Sequence, residues 1–186
     1  LDSIIWMAEG KKYEDVVLMT ASLARLLRQS ISNEDETVLI GQEIQYVKSY
    51  LTIQKMRYKD KLEFAINVDP SINSVHIVKL VLQPIVENAI YHGLKYKESK
   101  GMLTVNGYQK DGNAVIEIAD DGVGMDANTL DRLREDLKEE AIAPGKQGGF
   151  AMRNVYMRLK GFYGEQAGMK IDSVKDVLWK GIWSEL

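Results

Sequence analysis

The hydrophobic period of this chain changes once, near residue 60, and that change limits the folds open to it. Ahead of it, Val16, Met19, Leu23, Leu26, Leu27 and Ile31 recur at steps of three and four, the spacing that lines one face of a helix. After the polar break "SNEDET", Ile40, Ile44, Val47, Leu51 and Tyr58 mark a second amphipathic helix. Two long helices with a short connection imply an antiparallel hairpin. A hairpin cannot enclose a core alone. It must pack on another domain or on a second copy of itself, and a four-helix dimer is the economical solution. Beyond residue 60 the step shortens to two: Leu62, Phe64, Ile66 and Val68 alternate in "LEFAINVDP" until Pro70 stops the strand.

Strands and helices then mix. "QPIVENAIYHGL" reads as a helix with Pro84 in its first turn, where the missing N–H costs nothing. "MLTVNGY" and "AVIEIAD" read as two strands joined across "QKDGN", and Asp-Gly is a strong hairpin signal. "NTLDRLREDLKEE" is a charged, exposed helix, followed by the loop "AIAPGKQGG" and a helix from about Phe150 to Tyr163. "MKIDSV" and "VLWKGIW" close the chain as strands. The expected fold class is α+β: an N-terminal helical hairpin over residues 1–60, then a two-layer α/β sandwich over 61–186 with a mixed, mostly antiparallel sheet.

Composition supplies exclusions. With 45% hydrophobic and 27% charged residues the chain can bury a sizeable core. Its net charge of −3, with both signs interspersed, offers no electrostatic footprint for nucleic acid. The absence of cysteine excludes disulfides and thiolate metal sites. No apolar run approaches the roughly 20 residues that span a bilayer. Leu1 is not an initiator Met, so the chain reads as part of something longer.

Three segments use residue types that a plain core does not need. Asn88, within "ENAIYHG", shares a helix face with Ile85 and with Tyr91 or His92; a buried Asn demands hydrogen-bond partners or a ligand that supplies them. "VIEIADDGVGMD" ends a strand on two carboxylates and two glycines. There Asp120, an acceptor when ionised, suits an exocyclic amino group, while Gly122 and Gly124 permit a positive-φ turn and close backbone approach. "GKQGGFAMRNV" sets Gly145, Gly148 and Gly149 ahead of a helix start, and free N–H groups there suit phosphate oxygens, with Lys146 and Arg153 adding charge. Taken singly, each segment has a plain structural alternative: a surface Asn, a tight turn, a flexible loop.

Their order is what carries meaning. On these residues the chain resembles the GHKL ATP-binding superfamily of histidine kinases, gyrase-type topoisomerases, Hsp90 chaperones and MutL proteins, and within it the LytS/YesM-type bacterial sensor histidine kinases. "LQPIVENAIYHG" looks like the N box, "IADDGVGMD" the G1 box, and "GGFAMRNVYMRLKGFYGE" the G2 box with its following helix. "LARLLRQSI" and "LIGQEIQYVKSYLTIQKMRYKDKLEF" are similar to the dimerisation-and-phosphoacceptor helices.

The resemblance implies ATP and Mg²⁺ as cofactors. Asn88 would hold the Mg²⁺ that bridges the phosphates, and Asp120 would accept from the adenine amino group, with Gly122 and Gly124 shaping the base pocket. Residues from about Met125 to Gly148 would form the ATP lid, and Gly148 and Gly149 would cradle phosphate. His92, Lys95 and Arg153 would be phosphate neighbours, and Glu87 would orient the incoming imidazole or a water. The implied partners are a response regulator and a second copy bound through the hairpin, in a cytoplasmic domain of an inner-membrane sensor whose membrane segment lies upstream. The family's acceptor histidine sits in an N-P-H-F-L-x-N-type stretch just ahead of a segment like "LDSIIW"; His76 and His92 match no such stretch, so this chain is expected to bind nucleotide without phosphorylating itself. Two departures stand out: Ala151 replaces the later glycine of the G2 box, and "DVLWKGIWSEL" lacks the usual Gly-Thr strand, leaving Trp179 and Trp183 to be read as sheet packing. The alternatives are another GHKL ATPase, or an interaction module whose nucleotide pocket has degenerated.

Overall fold

The structure is a computed structural model and describes residues 2–31, 36–138, 150–164, 167–174 and 177–185. Its helices are α1 (Asp2–Glu9), α2 (Tyr13–Ile31), α3 (Ile40–Tyr58), α4 (Leu82–Asn88), α5 (Ala127–Lys138) and α6 (Phe150–Tyr163). Its strands are β1 (Thr37–Leu39), β2 (Leu62–Val68), β3 (His76–Val78), β4 (Gly101–Lys110), β5 (Asn113–Asp120), β6 (Ala167–Val174) and β7 (Val177–Glu185).

Five strands form one sheet in the order β2-β4-β5-β7-β6. Only β2 and β4 run parallel; the other neighbours are antiparallel. This is the mixed, mostly antiparallel sheet expected. The β4–β5 hairpin turns on Asp111 and Gly112, with φ of 52° and 85°. Positive φ at both central residues gives the turn the twist of the strands it joins. The terminal segment "VLWKGIWSE" pairs with β5 from Asn113↔Glu185 to Asp120↔Leu178 and with β6 on its other edge. Its unusual composition therefore occupies an interior position in the sheet. The side chains of Trp179 and Trp183 lie outside the described residues. A small second sheet pairs β1 with β3 antiparallel; three-residue strands are too short to show a period, and the sequence reading did not find them.

The sheet is two-faced. On β4, Leu103 and Val105 are buried, and on β5 Ala114, Ile116 and Ile118. The alternate residues are polar or half-exposed, as with Tyr108, whose hydroxyl donates to Glu117 at 2.8 Å. Helices cover the apolar face. Ile40, Ile44, Val47 and Leu51 of α3, Ile85 and Val86 of α4, and Met152, Val155 and Leu159 of α6 join one core with these strands. Helix α3 thus packs both ways: Arg25 of α2 donates to buried Ser49 at 3.1 Å, while its other face enters the sandwich. Helix α2 keeps Val17, Leu18 and Leu27 largely exposed. No described helix is long and apolar enough to cross a membrane.

Candidate functional site

The strict alternation of β5 puts Asp120 on the same face as Ile116 and Ile118, and it is 4% exposed. A carboxylate carried into a core layer must be partnered. Its Oδ1 accepts from the backbone N–H of Gly122 at 3.0 Å. It lies directly against Gly93: a Cβ built on Gly93 would fall 2.2 Å from that oxygen. A Cβ on Gly122 would sit 2.4–2.5 Å from the backbone C, Cα and O of Gly93. Val123 closes the contact, its N–H donating to the Gly93 carbonyl at 3.2 Å. Two backbones therefore touch where the end of β5 meets the helical segment after α4, and both positions require glycine. At Gly122 the requirement is close approach; positive φ falls at Gly124, at 66°.

The neighbouring carboxylate has a different task. Asp121 accepts from Met102 N–H at 2.7 Å, returns its own N–H to the Met102 carbonyl at 3.1 Å, and pairs with Lys97 at 2.7 Å. Asp121 pins the turn to β4 and leaves Asp120 to face inward.

Sequence periodicity suggested one helix through "QPIVENAIYHGL". The chain instead widens after Asn88 into a π-helical stretch, Ala89–Leu94, with Lys95 N–H reaching the Ile90 carbonyl at 2.9 Å. Such widenings recur at functional sites. Here it accompanies buried Gly93 at the strand end and exposed Tyr91, His92 and Lys95. The Lys95 ammonium lies 5.8 and 5.7 Å from the rings of Tyr91 and Tyr96. Asn88 is partly buried, and its amide has no hydrogen-bond partner among the described residues. Glu87 accepts from Gln83 at 2.6 Å and, with Gln83, Ala151, Asn154 and Arg158, lines a groove of about 690 Å³ between α4 and α6.

The far wall is α5. Asp126 opens it, accepting from Thr129 N–H at 2.9 Å and its hydroxyl at 2.7 Å. These bonds hold the Asp126 carboxyl below its usual range. Although read as a charged, exposed helix, α5 buries Leu130 and Leu137 and is fastened to β6 through Arg134, which donates to Asp172 and to the Ile171 carbonyl. Met125 N–H donates to Ser173 at 2.9 Å. Arg153 is partly buried on α6. Gly148 and Gly149, with the preceding loop, lie outside the described residues. Among the described residues no cluster of His, Asp and Glu could hold a metal by itself. Sequence reasoning brought together Asp120 and Gly122 but assigned no role to Gly93, although it stood inside the quoted "ENAIYHG".

Two family models match the chain. The one described as histidine kinase covers residues 1–62, and the one described as histidine kinase-, DNA gyrase B-, and HSP90-like ATPase covers residues 74–172. Similar curated proteins include the sensor histidine kinase YesM of Bacillus subtilis, 31% identical over 173 residues, covering 93% of this chain and 28% of that protein. The sensor histidine kinase YpdA of Escherichia coli is 34% identical over 145 residues, covering 77% and 24%. The sensor protein LytS of Oceanobacillus iheyensis is 31% identical over 153 residues, covering 81% and 26%. The chain thus spans about a quarter of the length of these relatives. Among solved structures, the histidine kinase domain of the Erythrobacter litoralis EL346 blue-light activated kinase superposes with a TM-score of 0.59 at 14% identity, covering 92% of this chain and 75% of that one. The mycobacterial sensor histidine kinase MprB gives 0.54 at 17%, covering 80% and 97%. At such identities these two likenesses show the fold.

Proposed function

Because this chain belongs to the histidine kinase-, DNA gyrase B-, and HSP90-like ATPase family, as a sensor-histidine-kinase domain related to YesM, YpdA and LytS, we propose that it binds Mg-ATP between the Asn88 helix and the β5 turn. In that reading it is the kinase core of a two-component sensor. The γ-phosphoryl group passes to a histidine of the whole protein and then to an aspartate of a response regulator.

The observation that carries the reading is the contact among Gly93, Asp120 and Gly122. It draws the two motif segments together around a carboxylate held by a neighbouring N–H, in a layer otherwise apolar. Asp120 accepts from the purine amino group, and Gly124, with Met125 anchored to Ser173, shapes the base side. Asn88 supplies an amide oxygen without a competing partner among the described residues. A hard cation favours such a donor and takes its remaining ligands from phosphate and water, which fits a site with no acidic cluster among the described residues. His92, Lys95, Arg153 and the Gly148–Gly149 loop are proposed to face the phosphates, and Glu87 to orient the acceptor. Bound Mg-ATP supplies the phosphoryl group and the counter-charge that offsets its transition state; the protein's share is positioning.

We retain the functional division near residue 60, with the helices ahead of it forming a homodimer. Ile5, Trp6, Val17, Leu18 and Leu27 are each at least half exposed, an apolar surface suited to a second copy. Calorimetric titration with Mg-ATP tests the nucleotide assignment. Saturable binding is expected, and its absence at millimolar ATP overturns it.

A further inference from the structure

Of the two acidic side chains buried among the described residues, Glu43 at 0% exposed lies deeper than Asp120 at 4%. It stands on α3, 45 residues ahead of Asn88 in the chain. Its two oxygens accept from the backbone N–H groups of Leu80 at 2.9 Å and Leu82 at 3.3 Å, the turn that launches α4. An acid is retained in a core only where several bonds offset its desolvation. Burial raises the pKa of Glu43, and the backbone bonds and the Arg158 charge pull it back.

The turn itself is unusual. Leu80 adopts φ of 61°, a left-handed conformation that a bulky residue takes only when its surroundings enforce it. They do so from two sides. Glu43 holds the Leu80 N–H from α3, and Arg158 of α6 reaches the Leu80 carbonyl at 3.4 Å. The preceding N–H, of Lys79, donates to the Glu36 carbonyl at 3.0 Å. Two elements thus converge on Leu80, two residues ahead of the Asn88 helix: α3, continuous with the hairpin segment, and α6.

We propose that Glu43 is a positioning residue for the nucleotide site, fixing the start of α4 and hence the placement of Asn88, while Arg158 grips the same turn from α6. Displacement of α3 is thereby transmitted first to Asn88, on the helix that Glu43 fixes, and less to the adenine side, whose Asp120 is carried by β5 and meets this helical segment only at Gly93. The inference rests on the Mg-ATP reading above and adds to it a specific residue and a specific half of the ligand.

The test is calorimetry of ATP on the whole 186-residue chain, with Mg²⁺ and with chelator, for wild type, Glu43→Gln and Val47→Ala. Val47 is about as buried on α3 but has no polar side-chain atom with which to hold the turn. Glu43→Gln should lower affinity in Mg²⁺ by about 3–10-fold, as for loss of one ordinary intramolecular hydrogen bond, with less than about a twofold change in chelator. Val47→Ala should keep the wild-type gain from Mg²⁺ even where it melts earlier. Should Glu43→Gln fail to fold, Arg158→Gln at the exposed rim decides, with a smaller loss of the same Mg²⁺ gain expected. An undiminished gain in Glu43→Gln (or in Arg158→Gln where that variant decides), or an equal loss in Val47→Ala, overturns this inference alone. A wild-type chain that binds no Mg-ATP overturns the nucleotide reading and this inference together.

Discussion

Gly122→Ala is the sharpest probe of how the site is assembled. The added methyl would lie 2.4 Å from the nearest backbone atom of Gly93, and all three nearest neighbours belong to that backbone. Carbon atoms rest at about 3.5–4.0 Å, so the β5 turn and the π-helical stretch must separate by about 1 Å. No side chain can rotate away to relieve the clash. Overpacking of this kind costs about 1–3 kcal/mol of stability, which for a domain of this size lowers Tm by about 2–12 °C. The same movement withdraws the Gly122 N–H from Asp120 and shifts the carboxylate against its ligand. Weakening one charge-assisted hydrogen bond costs about 1.5–3 kcal/mol, or about 10–150-fold in Kd. Thermal melts and Mg-ATP titration on the same sample read both effects. Wild-type melting together with wild-type affinity would refute the claim that the two backbones meet at this point.

Asp120→Asn replaces an acceptor with a mixed donor–acceptor group, and ATP affinity should fall about tenfold or more, measured by calorimetry; unchanged affinity removes Asp120 from the base pocket. Asp172 is held below its usual value of 3.8 by Lys170 first and Arg134 second. A depressed carboxylate lends stability above the unfolded pKa and loses it as pH falls through the folded one, so acid melts of Lys170→Met should show a shallower fall below pH ~4 than wild type. Since Asp172 is 36% exposed, solvent screening limits the effect to ~0.5 kcal/mol. Charging the exposed face of α2 with Val17→Glu and Leu18→Glu should shift the chain to monomers in sedimentation at several concentrations, with the melting temperature little changed; dimers of undiminished strength would place the contact elsewhere.

Periodicity is a local property, and everything that depended on it was legible in the chain. The helices around Val16–Ile31 and Ile40–Tyr58, the alternating strands β2, β4 and β5, and the Asp-Gly hairpin each follow from which face of a short segment can be buried. So did the inward direction of Asp120, which continues the beat of Ile116 and Ile118. Residue order also exposed the resemblance that the family matches bear out. What escaped the reading is decided by contacts between distant segments. Gly93 is buried because a strand end arrives against it, and no feature of "YHG" announces that partner. Glu43 looks like an ordinary polar position of an amphipathic helix until α4 begins above it. Helix α3 was legible as half of a hairpin that must pack on another domain or on a second copy; that one side of it completes the sandwich core was not. Local patterns record how much apolar surface a segment must hide; the choice of what hides it belongs to the folded chain, because competing partners are separated by packing and hydrogen bonds that exist only once the segments meet.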